Sequence, residues 1–599
     1  MQKEIQRAQV GQLEAFHVSA HQRAEVLLYA LRCHLADQHR VMAFIESDDT
    51  DIASIALVAG AGVRNLRKRN LHSSSLALLW HVGYWFAVAG VHWLDLGIIV
   101  AYVVGLTAVG LRFSRRQTTT ERYFTAKRSV PSWAVAMSFL TAMVTSVTFI
   151  AFPGAAYAKD WSLLIPGFFL LVVVALVGTV IIPFYRHSVG MSAFEYFGKR
   201  FGRPTRVYAS VAFTLAHFSK MGLVFYLLAL TVNSTTGWSM DQVILVSGFL
   251  TILYTLKGGF EAVVWTDVFQ GVILWTGIFL CLGYLLFLPP GGPAAVFETA
   301  WTNHKITLGS AAFDLSKPTV WVLMTYGFFW YLQRYTTDQT LVQRYLAAKS
   351  DSAAVRGVTL GALLAVPVWA LFMLIGTCTW TFYKLTGEKL PAHVTKSDQV
   401  FPYFLGTHLP AGIAGLVLAA LMGSAMCALS SDLNSFAAVG VEDIYRLFRP
   451  TATDRERLRV AKRIVLCCGV LSVLAALALS HTQTLALSVW FSASSIVSGG
   501  LAGLFVLAFL TKRTTRRGVY AGITACVIFT AWATLTMGER RILNLGHFNF
   551  PWHDYMIGAI GHVVLMVVGY GVSLAGRAEP ATQSRAAVIT VAVPPGDGG

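Results

Sequence analysis

The sequence predicts an all-α, polytopic membrane protein of about thirteen transmembrane helices, and three observations carry that expectation. Hydrophobic residues make up 55% of the 599 and charged residues only 13%, about half the charged share of an ordinary soluble protein. Thirteen apolar segments follow one another from Leu94 to Ala575, most of them near the ~20 residues that span a bilayer. Finally, connections 114–132, 186–206, 257–262, 337–356, 440–459 and 511–517 hold 23 Lys and Arg, whereas the alternate set holds 8. Basic connections face the cytoplasm. This puts the start of the first helix outside the cell membrane and the C-terminal tail inside. The formal charge of +17 is then a marker of topology, and nucleic acid is not an expected partner.

Residues 1–93 form an N-terminal extension without an assigned role. RNLRKRN (64–70) before LALLWHVGYWFAVAG (76–90), closed by Ala87-Val88-Ala89, has the layout of a signal-like segment. No Met lies between Met42 and Met137, so a mis-assigned start is one explanation. The transporter-like region spans 94–575. Its segments are 94–113, 133–152, 162–185, 207–232, 241–256, 263–287, 319–336, 357–380, 411–439, 460–480, 485–510, 518–536 and 555–575. The tail 576–599 is too short for a signalling or nucleotide-binding domain. No GxxxxGK[ST], HExxH or GxSxG motif occurs, so ATP-driven pumping and enzymatic chemistry are not expected, nor is any organic cofactor. Six of the seven cysteines lie in apolar runs without CxxC spacing, which argues against disulfides and a structural metal.

The second segment crowds Thr141, Thr145, Ser146 and Thr148 into its middle, and Pro153-Gly154 is expected to break its outer end. Hydroxyl-rich helices that unwind expose carbonyls to cations at mid-membrane; an ordinary span closed by Pro is the plainer alternative. Lys220 lies halfway along the fourth segment and Asp267 near the cytoplasmic start of the sixth. Arg334 and Asp338 are spaced for a helical ion pair, and Asp338 and Arg344 fall where an interface is expected. In the ninth segment Ser424, Cys427, Ser431 and Asn434 recur every three or four residues, so they form one polar stripe. Such a stripe lines a pathway or bonds a neighbouring helix.

Six stretches together resemble the sodium:solute symporter family: RYFTAKRSVPSWAVAMSF (122–139), TSVTFIAFPGAAY (145–157), YTLKGGFEAVVWTDVFQ (254–270), DQTLVQRYLAAKS (338–350), DQVFPYFLGTHLPAGIAGLVLAALM (398–422) and LNSFAAVGVEDIY (433–445). The resemblance implies a LeuT-like inverted repeat of five plus five helices, with core repeats at about 133–287 and 319–510 and a discontinuous opening helix in each. It also implies sodium-driven symport of a small organic solute by alternating access. Sodium would be held by carbonyls near Thr141 and Val144 and by the ninth segment, with Asp267 on the ion path. The family's hydroxyl pair falls at Cys427 and Ala428, a poor pair for a hard cation. Three readings follow: sodium on Ser424, Ser430, Ser431 and Asn434; a coupling proton on Asp267 or Lys220; or an uncoupled carrier or solute sensor.

Thr145, Thr148, Lys220, Tyr331 and Arg334 are the candidate solute contacts. The sugar branch's hydroxyl-binding positions read Met143 and Thr148, and its Tyr-Trp gate is missing from FFWYLQRYTTDQ. The pattern resembles the iodide and monocarboxylate branch more, and Lys220 suits an anion.

Overall fold

The computed structural model describes residues 92–392, 394–481, 496, 499–538 and 541–576. The extension before residue 92, half of segment 485–510 and the tail after 576 therefore lie outside the described residues. The described chain is helical, and its single backbone bridge joins Val130 to Ala348. Its main helices are α1 (Trp93–Arg112), α2 (Ser132–Met143), α3 (Ser146–Ala158), α4 (Ile165–Ser188), α5 (Arg203–Thr236), α6 (Met240–Phe287) and α7 (Val320–Thr337). They are followed by α8 (Gln339–Ala347), α9 (Asp351–Thr386), α10 (Ile413–Val439), α11 (Asp454–His481), α12 (Leu501–Leu510), α13 (Arg516–Thr536) and α14 (Tyr555–Ala575). Eight described helices are long and apolar enough to cross a membrane, and two bent pairs bring the number to ten.

Three boundaries differ from the sequence expectation. The second segment is two helices, α2 and α3, bent by 60°. The break falls at extended Val144 and Thr145 and not at Pro153-Gly154. A capping box explains it: Thr145 accepts from the third backbone N–H of α3, and the Thr148 hydroxyl is 3.2 Å from the Thr145 N–H, so a new helix starts there. Pro153 stays inside α3, where its backbone packs on Gly376 of α9. A Cβ at 376 would lie 2.2 Å from the Pro153 carbonyl oxygen, so only glycine permits that approach.

Second, the connection expected at 257–262 contracts to Gly259, whose φ of 58° and ψ of −159° suit glycine alone. The Tyr254 hydroxyl donates to the Met426 carbonyl at 3.2 Å, and Asp267 meets adjacent Cys427 at 2.8 Å. Residues thirteen apart on a straight helix would stand roughly 20 Å apart. The arms of α6 therefore run antiparallel. Third, the seventh segment continues past Asp338 as α8, every residue of which is buried. Asp338 is extended, and its Oδ1 accepts from the Thr340 N–H at 2.9 Å, so it caps α8 while pairing with Arg334 of α7.

The connections segregate to two ends. The basic ones knit together: Val130 N–H donates to Ala347 O at 3.0 Å, Arg186 Nε meets Asp351 at 2.6 Å, Arg206 Nε meets Asp443 at 2.6 Å, and Tyr196 donates to Ala508 O at 2.7 Å. At the other end, Lys305 Nζ reaches Tyr157 O at 2.7 Å, and the Trp161 and His553 N–H groups donate to Thr307 O and Leu315 O, each at 2.8 Å. α10, nearly all of it buried, runs through the middle. Its start is fixed by Asp95 of α1, which accepts from Gly412 and Gly415 N–H at 2.6 and 2.7 Å, satisfying donors that a helix start leaves unpaired.

Candidate functional site

Two buried clusters of charge surround α10. The first is built on Asp267, which lies in the second arm of α6 and has no exposed surface. Its Oδ2 accepts from Ser138 Oγ of α2 at 2.5 Å and from Arg344 Nη2 of α8 at 2.9 Å, and its Oδ1 accepts from Cys427 Sγ at 2.8 Å. Arg344 is 1% exposed. Its remaining donors reach Ser431 Oγ (3.0 Å), Ser138 O (3.0 Å), Ser138 Oγ (2.9 Å) and Thr340 O (2.6 Å). The Thr141 methyl lies against Gly271, one turn past Asp267, while its hydroxyl donates back to Met137 O and Ser138 O at 3.0 and 3.1 Å; the broken end of α2, with its surplus carbonyls, thus abuts the cluster. A buried charge pair persists only when nearly every lone pair and proton is matched in this way.

The second cluster lies on the neighbouring face of α10. Asp432 meets Lys220 Nζ of α5 at 2.9 Å and His217 Nδ1 at 2.7 Å. The His217 Nε2 faces Asp338 Oδ2 at 3.4 Å, and Asp338 is paired with Arg334. Unlike Asp267, this group opens outward: the Lys220 side chain is 32% exposed. Ser146 in the first turn of α3 donates to Val224 O at 2.9 Å. Val224 is one helical turn from Lys220, so the start of α3 is bonded to the same stretch of α5 that carries the ammonium.

Some of the sequence candidates converge and others do not. Thr141, Cys427, Ser431 and Asp267 come together, and Val144 ends the same half-helix. Ser424 and Ser430 instead donate to Leu421 O and Cys427 O of their own helix, at 2.8 and 3.0 Å. Asn434 lies a turn further on, with Oδ1 accepting from Gln343 at 3.1 Å and Nδ2 donating to Tyr123 O at 3.4 Å. Ala428 offers a methyl group only. Thr145 and Thr148 are engaged in the cap of α3, and Tyr331 packs on Trp369 with ring centroids 6.1 Å apart. Asp267, Asp338 and Arg344 are buried in the protein, each paired with a partner from another helix or helix half. Sequence reasoning passed over Ser138, Gln343, His217 and Asp432. For Asp432 a cue existed: a carboxylate within an apolar run demands a buried cation.

Comparison with known proteins gives concordant results. The family model for the sodium:solute symporter family matches residues 123–525. The chain is 31% identical over 481 residues to the sodium/sialic acid symporter SiaT of Proteus mirabilis, covering 80% of this chain and 94% of that protein. It is 29% identical over 476 residues to the sodium/sialic acid symporter NanT of Aliivibrio fischeri, covering 79% and 91%. The human sodium/iodide cotransporter matches at 27% over 449 residues, covering 74% and 69%. The solved structure of a substrate-bound, outward-open Na+-coupled sialic acid symporter is similar with a TM-score of 0.75 at 29% identity, covering 81% of this chain and 98% of that one.

Proposed function

Because the chain belongs to the sodium:solute symporter family and is an integral membrane carrier in which sodium drives a small organic solute by alternating access, we propose that its solute is a sugar acid of the sialic acid kind. The observation that carries this is the Lys220 ammonium, 32% exposed, on α5 one turn from the carbonyl of Val224 that bonds Ser146 at the start of α3. An ammonium beside a helix N-terminus favours a carboxylate. Asp432 holds the ammonium in place, His217 bonds Asp432, and Asp338, paired with Arg334, backs His217. The relatives named for sialic acid support the same solute class.

We propose further that sodium binds at the broken end of α2, on the carbonyls of Thr141 and Val144, with Asp267 and Ser431 beside it. A hard cation needs oxygen ligands. Cys427 and Ala428 supply none, so the carboxylate takes a larger share. Sodium then competes with Arg344 for Asp267, which links cation occupancy to the position of α8. The breaks at Val144–Thr145 and at Asp338 support a LeuT-like repeat with two discontinuous opening helices. The segregation of the basic connections supports thirteen crossings with the C-terminus in the cytoplasm.

The test is uptake of labelled sialic acid into proteoliposomes under an inward sodium gradient. Uptake is expected to require sodium and to be blocked by the free acid but not by its neutral methyl ester. Equal competition by the ester, or full uptake by Lys220→Met, would falsify the carboxylate reading.

A further inference from the structure

We propose that the cavity at the basic end of α1 binds the phosphate-bearing headgroup of an anionic phospholipid. The cavity, of about 430 Å³, lies between the last turn of α1, the segment leading into α2 and the second arm of α6. Arg112 and Arg116 line it, with Phe113, Trp265 and Pro131 forming its walls. Glu261 is the one carboxylate there, and it is engaged from the other side by Arg122 Nε at 3.3 Å and Gln117 Nε2 at 3.2 Å. Arg116 stands 3.9 Å from Glu261, beyond hydrogen-bond distance, with its side chain 59% exposed. The cavity is thus left with a surplus of guanidinium groups. These present paired N–H donors in the planar geometry that phosphate oxygens accept.

The surroundings separate a lipid from a free anion. Phe113 stacks on Trp265 with centroids 6.5 Å apart, and Trp133 meets Trp265 edge-on at 5.6 Å. Such a ring cluster marks a membrane interface. From the cavity an exposed apolar stripe runs along α1 through Val104 and Val100 to Trp93. Trp93 and Arg112 stand roughly 28 Å apart along the helix, about the thickness of the hydrocarbon layer. A headgroup in the cavity would lay its acyl chains on that stripe, whereas inorganic phosphate would use the arginines alone. Basic pockets between membrane helices take anionic headgroups in this way. None of these residues belongs to the solute or sodium clusters, so this site stands or falls independently of them.

Native mass spectrometry of the purified full chain, incubated with phosphatidylglycerol or phosphatidylcholine, tests the assignment. Selective retention of phosphatidylglycerol is expected. The Arg112→Gln/Arg116→Gln variant should weaken it on the order of tenfold, and Arg455→Gln/Arg459→Gln on the same end should not. Size-exclusion elution and thermal unfolding show whether the variants stay folded; Arg112→Lys/Arg116→Lys, which keeps the charge, serves if the glutamine pair does not. Equal retention of both lipids, or equal loss in the control variant, overturns the proposal. Displacement of retained lipid by millimolar inorganic phosphate overturns it too, because the site would then serve a soluble anion.

Discussion

Ser431 and Asp432 are consecutive on α10, yet 100° of helical rotation sends them into clusters of opposite character. Ser431 joins Asp267, Arg344, Ser138 and Cys427, where each group of the central pair is bonded and almost nothing is exposed. Asp432 joins Lys220 and His217, where one ammonium reaches outward. The closed cluster ties together α2, α6, α8 and α10, the two broken elements among them. It suits an ion whose arrival must be felt by both broken helices. The open cluster keeps a charge available, as recognition of a solute requires. On the proposed assignment, coupling and selectivity lie on adjacent faces of a single helix.

Breaking the closed cluster has the largest expected effect. Arg344→Met or Asp267→Asn strands a buried partner, at a cost of about 3–5 kcal/mol, and should abolish uptake and lower the yield of folded protein. The double variant should recover folding but not transport, as read by size-exclusion elution beside uptake. If either single variant transports normally, the two clusters do not differ as described. Next comes Lys220→Met, which should weaken binding of a carboxylate solute by on the order of 30-fold, about 2 kcal/mol; it leaves buried Asp432 with His217 as its remaining partner, so the unfolding midpoint should also fall, though less than for Arg344→Met. Ser431→Ala is expected to raise the sodium concentration for half-maximal uptake about 3- to 10-fold. Cys427→Ser should lower it by a similar factor, each change being worth about one hydrogen bond or ligand contact. Silence of both would remove sodium from this face of α10.

Helices and their order were legible because apolar runs and the placement of Lys and Arg report burial and topology directly. Breaks were less so. Hydropathy ends the seventh segment at 336 since α8 is polar, although all of it is buried; Gln343 and Arg344 are matched by side chains from distant helices, and Gln339 by the backbone of Met191 and Ala193. The polar stripe of α10 was read from spacing, which tells which residues share a face and not what their hydroxyls do. Ser424 and Ser430 satisfy themselves on their own helix, a local choice that spacing cannot reveal. Arg344 was missed as a site residue because its partner Asp267 is 77 positions away.

The smallest effect concerns Lys305, at the end opposite the basic connections. Its Nζ is within 2.7 Å of Tyr157 O and 3.2 Å of Lys159 O, and sits 4.7 Å over the Trp380 ring. It therefore caps the end of α3, whose start is bonded to α5 one turn from Lys220. A cation at a helix C-terminus contributes about 1 kcal/mol or less. Lys305→Met keeps the stem on the ring and removes the cap, so the unfolding midpoint should fall slightly and uptake less than twofold. A loss of uptake as deep as that of Lys220→Met would mean that the seating of α3, and not the ammonium at 220, sets the open cluster. The contrast between the two faces of α10 would then rest on helix position instead of charge.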